Sequence, residues 1–416
     1  MHDDNLTAER PVFVTHLECA ATAARHEAGR LHGLSAAGKP LLVRYDLAAV
    51  ARSVDRDAIA ARPADLWRWR ELLPVPSAAA IVSLGEAQTP LIAAPGSARR
   101  LGGRTLLVKD EGRLPTGSFK ARGLAVAVSM AKALGVRRVA MPTAGNAGAA
   151  LAAYCSRAGI EAFVFCPDDA PETTISEIAL QGARVFRVDG NITEIGPLVE
   201  AGKEAGGWFS MATLKEPYRV EGKKTMGLEI AIQLGWELPD VIFYPTGGGT
   251  GLIGMWKAFE ELERLGWIGP KRPRMVAVQS ETCGPIARAF ARGAETAEPW
   301  TGGHTAVPGL RVPWTVGDFM LLRILRESHG FAITVADDET EPARAAMARE
   351  DGIHLCPEGA ATLAAYGKAL ARGLIGPDDR AILFNCASGL KYAMPPVTTR
   401  LSRHGPIDYA RLTASR

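Results

Sequence analysis

A chain of 416 residues, 47% hydrophobic and 22% charged, is long enough for two or three domains around an ordinary globular core. A formal net charge of +3 without a dense basic run argues against nucleic acid or an anionic membrane surface as a partner. The apolar stretches break at Gly, Pro or charge well short of about 18 residues, so no membrane helix is expected, and the polar start Met1-His2-Asp3-Asp4-Asn5 is unlike a secretory signal, which leaves a cytoplasmic location by default.

Along the chain, residues 1–80 read as an extension, with Pro63, Pro74 and Pro76 punctuating its end. The six cysteines are scattered, with no C-x-x-C pair, so neither a zinc site nor a disulfide framework is suggested, and the spacing of Cys19, His26 and His32 fits no standard metal site. From about Leu84 strands and helices alternate, which argues for parallel sheets covered on both faces. The first loop of interest is Leu114-Pro115-Thr116-Gly117-Ser118-Phe119-Lys120. It puts Lys120 in the first turn of an apolar helix, where nearby N–H groups and burial favour the neutral amine that attacks carbonyls. Beside a carbonyl cofactor such a lysine is a Schiff-base anchor; alone it reads far more readily as a solvated helix start.

Thr143, Ala144, Gly145, Asn146 and Ala147 then lie between the strand pattern Arg138–Met141 and a helix over Ala149–Ala158. A helix start of small residues suits a carboxylate, and the lone Asn146 suits a ring hydroxyl or the substrate. Residues 125–215, with apolar runs at Ala162–Phe165 and Val185–Val188 and a helical pattern over Thr174–Gln181, read as a small α/β unit inserted into a larger one. Arg219 and Lys223 are the better candidates for an anionic substrate, although a salt-bridged helix start explains them as well. Thr246-Gly247-Gly248-Gly249-Thr250 follows the buried-strand pattern Asp240–Pro245 and precedes a helix. That arrangement presents backbone N–H groups to a phosphate, and equally describes a tight turn without a ligand. Finally Phe384–Lys391 follows the strand Ala381–Leu383, placing Cys386 where a small side chain can meet a heterocyclic nitrogen.

Four such loops in this order resemble the fold type II pyridoxal-phosphate enzymes, and within them the threonine synthase family, from about Trp67 to Tyr392. Leu66–Pro74 with Val82–Leu91, the Pro115–Lys120 motif and Glu216–Thr225 carry the resemblance. It implies an α/β fold of two three-layer domains of the tryptophan synthase β type, with parallel-rich sheets flanking a cofactor cleft. Residues 81–124 and 216–400 would form the large domain, 125–215 a small mobile one and 401–416 a tail, with a degenerate zinc-knuckle-like segment in the extension.

On the resemblance Lys120 would carry pyridoxal phosphate and move protons at the substrate α-carbon. Thr246, Gly247, Gly248, Gly249 and Thr250 would cradle its phosphate, Asn146 would bond the ring hydroxyl, and Cys386 stands where the family commonly faces the pyridine nitrogen with threonine. Ser118, Thr143, Ala144, Gly145, Asn146, Ala147 and Arg219 would meet a small amino-acid substrate, phosphorylated if it is O-phosphohomoserine. No metal is implied, and a homodimer is. The implied activity is a lyase that expels a β- or γ-substituent and adds water or another nucleophile. Ala121, Ala144 and Ala147, where the family offers an aspartate or hydroxyls, keep a serine, threonine or diaminopropionate ammonia-lyase, or a β-replacement synthase acting through an aminoacrylate, as the alternative. A non-catalytic ligand-binding relative is the third expectation.

Overall fold

The computed structural model describes residues 4–413 apart from Ala144, Asn191, His304, Pro395 and residues 397–399. Its first sheet is antiparallel, made of β1 (Val14–Cys19), β2 (Arg25–His26) and β3 (Leu41–Tyr45) in the order β2-β1-β3. The chain then forms β4 (Leu91–Ala93) and β5 (Leu106–Asp110), followed by β6 (Arg138–Pro142), β7 (Glu161–Pro167), β8 (Arg184–Val188) and β9 (Phe209–Ser210). It ends with β10 (Val241–Pro245), β11 (Arg274–Ser280), β12 (Phe331–Val335) and β13 (Ala381–Asn385).

Strands β6 to β9 build a parallel four-stranded sheet of order β8-β7-β6-β9. The others build a six-stranded sheet, β12-β11-β10-β13-β5-β4, parallel except for the edge strand β4. All five residues of β10 and of β13 are buried, as expected of strands covered on both faces by helices. The register sets Val241–Phe243 beside Ala381–Leu383, and Ala381–Asn385 beside Leu106–Asp110. The carboxyl ends of β5, β13 and β10 therefore lie side by side, and the lysine loop, the Cys386 segment and the glycine loop all leave from there, the usual place for ligands on an open α/β sheet.

Residues 1–80 are more structured than an extension with a linker. Besides β1–β3 they contain the 3-10 segment Leu66–Leu72, every residue of which is buried, with Trp67 Nε1 donating to Glu86 at 2.9 Å. Cys19 Sγ lies 3.2 Å from Ser35 Oγ, and the His26 and His32 rings meet edge to face at 5.5 Å. Among the described residues no group of three or more His, Cys, Asp or Glu is placed to hold a metal ion, and no helix is long and apolar enough to cross a membrane.

Six helices position the cleft: α1 (Lys120–Ala133), α2 (Asn146–Ala158), α3 (Glu172–Leu180), α4 (Tyr218–Gln233), α5 (Thr250–Arg264) and α6 (Pro357–Ala371). Helices α1, α4 and α5 cross at glycines. A Cβ on Gly222 would run into the Arg122 carbonyl, and one on Gly254 would come within 2.8 Å of Lys223 Cβ and Lys224 N. That contact is tight enough to hold the start of α1 close to the first turns of α4.

Between these helices buried charges are paired, as they must be in a low-dielectric interior. Arg122 donates to Glu111 and to Glu229 at 2.6 Å each, and Lys109 donates to Glu229 at 2.7 Å. Burial opposes ionisation of Glu229, yet Arg122 and Lys109 hold its carboxyl down at about 2. A second group centres on Glu221, which accepts from Lys224 and from Tyr45 at 2.7 Å and so fastens β3 to α4.

Candidate active site

A cleft of about 570 Å³ opens at these strand ends, with loops of both large sheets in its walls. Lys120 lines it. The loop carrying Lys120 is tied to the segment after β13: Phe119 N donates to Cys386 O at 2.9 Å, Ser388 N donates to Gly117 O at 2.8 Å, and Ser118 bridges Ala387. Those bonds bring Lys120 and Cys386 to one wall. Burial and the nearby Arg219 lower the Lys120 amine from 10.5 to about 8, so a minor but useful fraction of it is neutral near physiological pH. Burial and Glu358 raise the Cys386 thiol, which keeps its proton.

The glycine loop forms the opposite part of the same floor. Gly249 caps α5 in a left-handed conformation (φ 75°) that side chains resist. A Cβ on Gly247 would lie 2.5 Å from Gly309 O, and one on Gly248 would lie 2.8 Å from Thr213 Cγ2. Among the described residues, the N–H groups of Gly247, Gly248, Gly249 and Thr250 donate to no protein acceptor, and all four residues line the cleft. Free N–H groups at the positive end of a long helix, in a cradle any Cβ would fill, are the fit a cofactor phosphate requires. With a partly neutral lysine and a protonated thiol on the same wall, the site accommodates pyridoxal phosphate.

Thr143, Gly145, Asn146 and Ala147 line the facing wall at the start of α2, and Ala144 lies outside the described residues. Asn146 Nδ2 donates to Tyr392 Oη at 3.1 Å, and Thr143 Oγ1 accepts from Gly145 N at 3.2 Å.

Three expected residues stand back from the wall. Thr246 is fully buried with its hydroxyl turned to Tyr244 O at 2.9 Å, so it braces the glycine loop from behind. The side chain of Ser118 is buried in the extended residue before the helix, not open to the cleft. Arg219 is 1% exposed, donates to Met211 O at 2.8 Å and has burial opposing its charge; it acts on Lys120 through space and does not reach the cavity.

Sequence reasoning missed the residues at the mouth. Lys391 Nζ donates to Thr116 O at 2.8 Å and to Glu177 Oε1 at 2.9 Å, joining the lysine loop to α3. Arg311 donates to Asp169 Oδ2 at 2.8 Å, just beyond β7. Tyr392, beside Asn146, has its hydroxyl raised well above its ordinary range by burial and by Glu358. Glu358, at the start of α6, accepts from Gly309 N at 2.8 Å. The run into Lys391 and Tyr392 carried a signal, since it directly continues the Cys386 segment. So did Glu358, which follows Pro357 at a predicted helix start, where a carboxylate also simply complements the dipole.

Comparison with known proteins agrees with this site. Residues 82–387 match the family model described as pyridoxal-phosphate dependent enzyme. The chain is 33% identical over 355 residues to the threonine synthase of Methanocaldococcus jannaschii, covering 85% of this chain and 87% of that one. With the threonine synthase of Methanosarcina acetivorans it shares 33% over 378 residues, 90% and 91% of the two chains. Among solved structures it is similar to a threonine deaminase of T.th. (TM-score 0.61, 25% identity, 74% of this chain and 94% of that). It also shares its fold with an O-ureido-L-serine synthase (TM-score 0.62, 21% identity, 79% and 96%).

Proposed function

The chain belongs to the pyridoxal-phosphate-dependent enzymes and, within them, to the threonine synthase family, and on that premise we propose that it converts O-phosphohomoserine and water into threonine and phosphate. It is a pyridoxal-phosphate-dependent lyase of the threonine synthase type. The observation that carries the substrate is the likeness to two threonine synthases at 33% identity over most of both chains. Arg311 and Lys391 in the cleft wall would meet a phosphate substituent once released from Asp169 and Glu177.

Bound pyridoxal phosphate supplies an electron sink for charge at the substrate α-carbon. Lys120 would hold the cofactor and, once released from it, take and return protons at the reacting carbons, as an amine near 8 can do in both directions. Gly247 to Thr250 would fix the cofactor phosphate. Asn146 would bond the ring hydroxyl in exchange for Tyr392, and the loop Thr143–Ala147 would receive the substrate carboxylate. Cys386, keeping its proton, would leave the ring nitrogen uncharged, which suits elimination and replacement better than transamination.

Three contacts support residues 125–215 as a small domain that closes on a large one made of 81–124 and 216–400: Asn146–Tyr392, Asp169–Arg311 and Glu177–Lys391 all span the cleft. Closure would exclude water from the site until the leaving group has departed. A homodimer and a cytoplasmic location complete the reading on family likeness alone; sedimentation of the holoenzyme tests the first.

One observation favours the alternative ammonia-lyase. Arg311 and Lys391 are already paired with Asp169 and Glu177, an arrangement that suits a substrate without an anionic substituent. Parallel assays decide: phosphate release from O-phosphohomoserine supports the first reading, and keto-acid release from serine or threonine without phosphate release overturns it.

A further inference from the structure

Four lysines on β5, α4 and α5 are buried: Lys109, Lys223, Lys224 and Lys257. Three have glutamate partners, Lys109 with Glu229 at 2.7 Å, Lys224 with Glu221 at 2.7 Å and Lys257 with Glu221 at 2.9 Å. Lys223 has no carboxylate partner among the described residues. Instead its Nζ donates to the backbone carbonyl of Phe119, the residue before Lys120, and lies 3.9 Å from the centre of the Phe119 ring. Lys120 Nζ lies 4.3 Å from the centre of that ring. The Lys223 stem packs on the first turn of α1 so closely that a Cβ on Gly123 would be 3.1 Å from Lys223 Cε.

The charged and titratable groups facing Lys223 are Lys120 and Arg122 on α1, Arg219 on its own helix, Glu111 after β5 and Cys386 after β13, whose thiol keeps its proton. Glu111 is engaged by Arg122. An ammonium so placed would be buried without a counter-ion, which is costly, whereas a neutral amine still has N–H to donate. Burial, Lys120 and Arg219 indeed push its pKa well below the usual lysine range.

We propose that Lys223 is a positioning residue for Lys120: an uncharged amine that pins the Phe119 carbonyl and ring, and so aims Lys120 into the cleft without placing a second positive charge beside it. The inference rests on Lys120 being the cofactor lysine. It explains why a polar donor stands where packing alone would take leucine or methionine: the Phe119 carbonyl is bound from the α4 side, and only Arg122 N, at 3.3 Å, reaches it within α1.

The test is the pH titration of the visible absorption band of the holoenzyme. In Lys223→Met the midpoint stays within about 0.3 pH units of wild type, because no charge is removed, while turnover falls roughly tenfold as Lys120 loses its aim. In Lys223→Arg, which adds a permanent charge, the midpoint drops by about one unit or more. A midpoint that rises by a unit in Lys223→Met and is unmoved in Lys223→Arg would show a charged Lys223 and overturn the proposal. Should these variants fail to fold, the lysine Cε resonances of isotope-labelled wild type at neutral pH decide. An amine-type signal besides that of Lys120 is expected, and its absence overturns the proposal. A wild type that takes up no pyridoxal phosphate would instead sink the reading of Lys120, and the resonance is read on that protein either way.

Discussion

The floor of the cleft and its mouth are built by different means. The floor is backbone: glycines too confined for a side chain, N–H groups at the start of α5, and a lysine whose loop is hydrogen-bonded to the Cys386 segment. The mouth is side chain: Lys391–Glu177, Arg311–Asp169 and Tyr392–Asn146, each reaching between loops of the two large sheets. A backbone floor is fixed once the helices pack, so it specifies the cofactor. Side-chain pairs of partly exposed groups contribute little to stability and exchange partners readily, so the mouth is where substrates are told apart.

If that division holds, variants in the floor should abolish cofactor chemistry and variants in the mouth should only retune it. The largest expected effect is Lys120→Ala. Turnover should fall by about 10²–10⁴-fold, the share positioned acid–base catalysis usually contributes, with loss of the yellow colour and partial recovery on adding a small amine. Retention of both colour and activity would break the comparison at its centre. Gly247→Ala comes next. Its Cβ, 2.5 Å from the Gly309 carbonyl, cannot be relieved by rotating a side chain, so cofactor affinity should drop about 10–100-fold in a dialysis or fluorescence titration while thermal stability falls only slightly.

A third expectation concerns the same lysine in the apoenzyme. Burial lowers it from 10.5 to about 8. The neutral fraction, and with it the rate of pyridoxal phosphate capture, should therefore rise about tenfold per unit below pH 8 and flatten above it. An ordinary lysine would keep accelerating to about 10.5. A capture rate still climbing steeply at about pH 9.5 would show that the floor does not tune its lysine.

The same division explains what the sequence disclosed. Strand, loop and helix signals around Lys120, Asn146, Gly247–Thr250 and Cys386 are local, each lying within about ten consecutive residues, and the parallel register then sets three of the four side by side. Those loops were legible before any fold was known. The mouth pairs Asp169 with Arg311 across 142 residues and Glu177 with Lys391 across 214. No local pattern marks a charged residue as half of such a pair, and exposed glutamates and arginines are ordinary in either setting. Arg219 failed in the opposite sense. Its charge drew attention, yet the glycine crossing of α4 on α1 buries the first turn of α4, and depth of that kind is invisible in a motif. The N-terminal sheet was equally hidden, because its strands are short and carry no long apolar run, although Leu17, Leu41, Leu42 and Val43 join the main core and Tyr45 bonds Glu221.

At the mouth the expected effects are smaller and fall on KM. Lys391→Met removes a half-buried pair with Glu177 and a bond to Thr116 O. If Lys391 serves an anionic substituent, KM for O-phosphohomoserine should rise about 5–20-fold at high kcat, with little change for serine. Equal effects on both substrates would mean that Lys391 only latches the loops.

The smallest effect expected is from Tyr392→Phe, and it separates the two regions most finely. Tyr392 occupies Asn146 Nδ2 at 3.1 Å, the same donor assigned to the cofactor ring hydroxyl, so its hydroxyl competes with the cofactor for that amide group. Removing it leaves Asn146 Nδ2 without that partner in the apoenzyme and takes away a neutral hydroxyl that faces Glu358. A neutral hydrogen bond is worth about 1 kcal/mol. Cofactor affinity in Tyr392→Phe should therefore be unchanged or up to about fivefold tighter, while Asn146→Ala should weaken it by a similar factor. If Tyr392→Phe instead weakens cofactor binding about tenfold, the tyrosine belongs to the floor, and the boundary between the two regions runs through Asn146 rather than beside it.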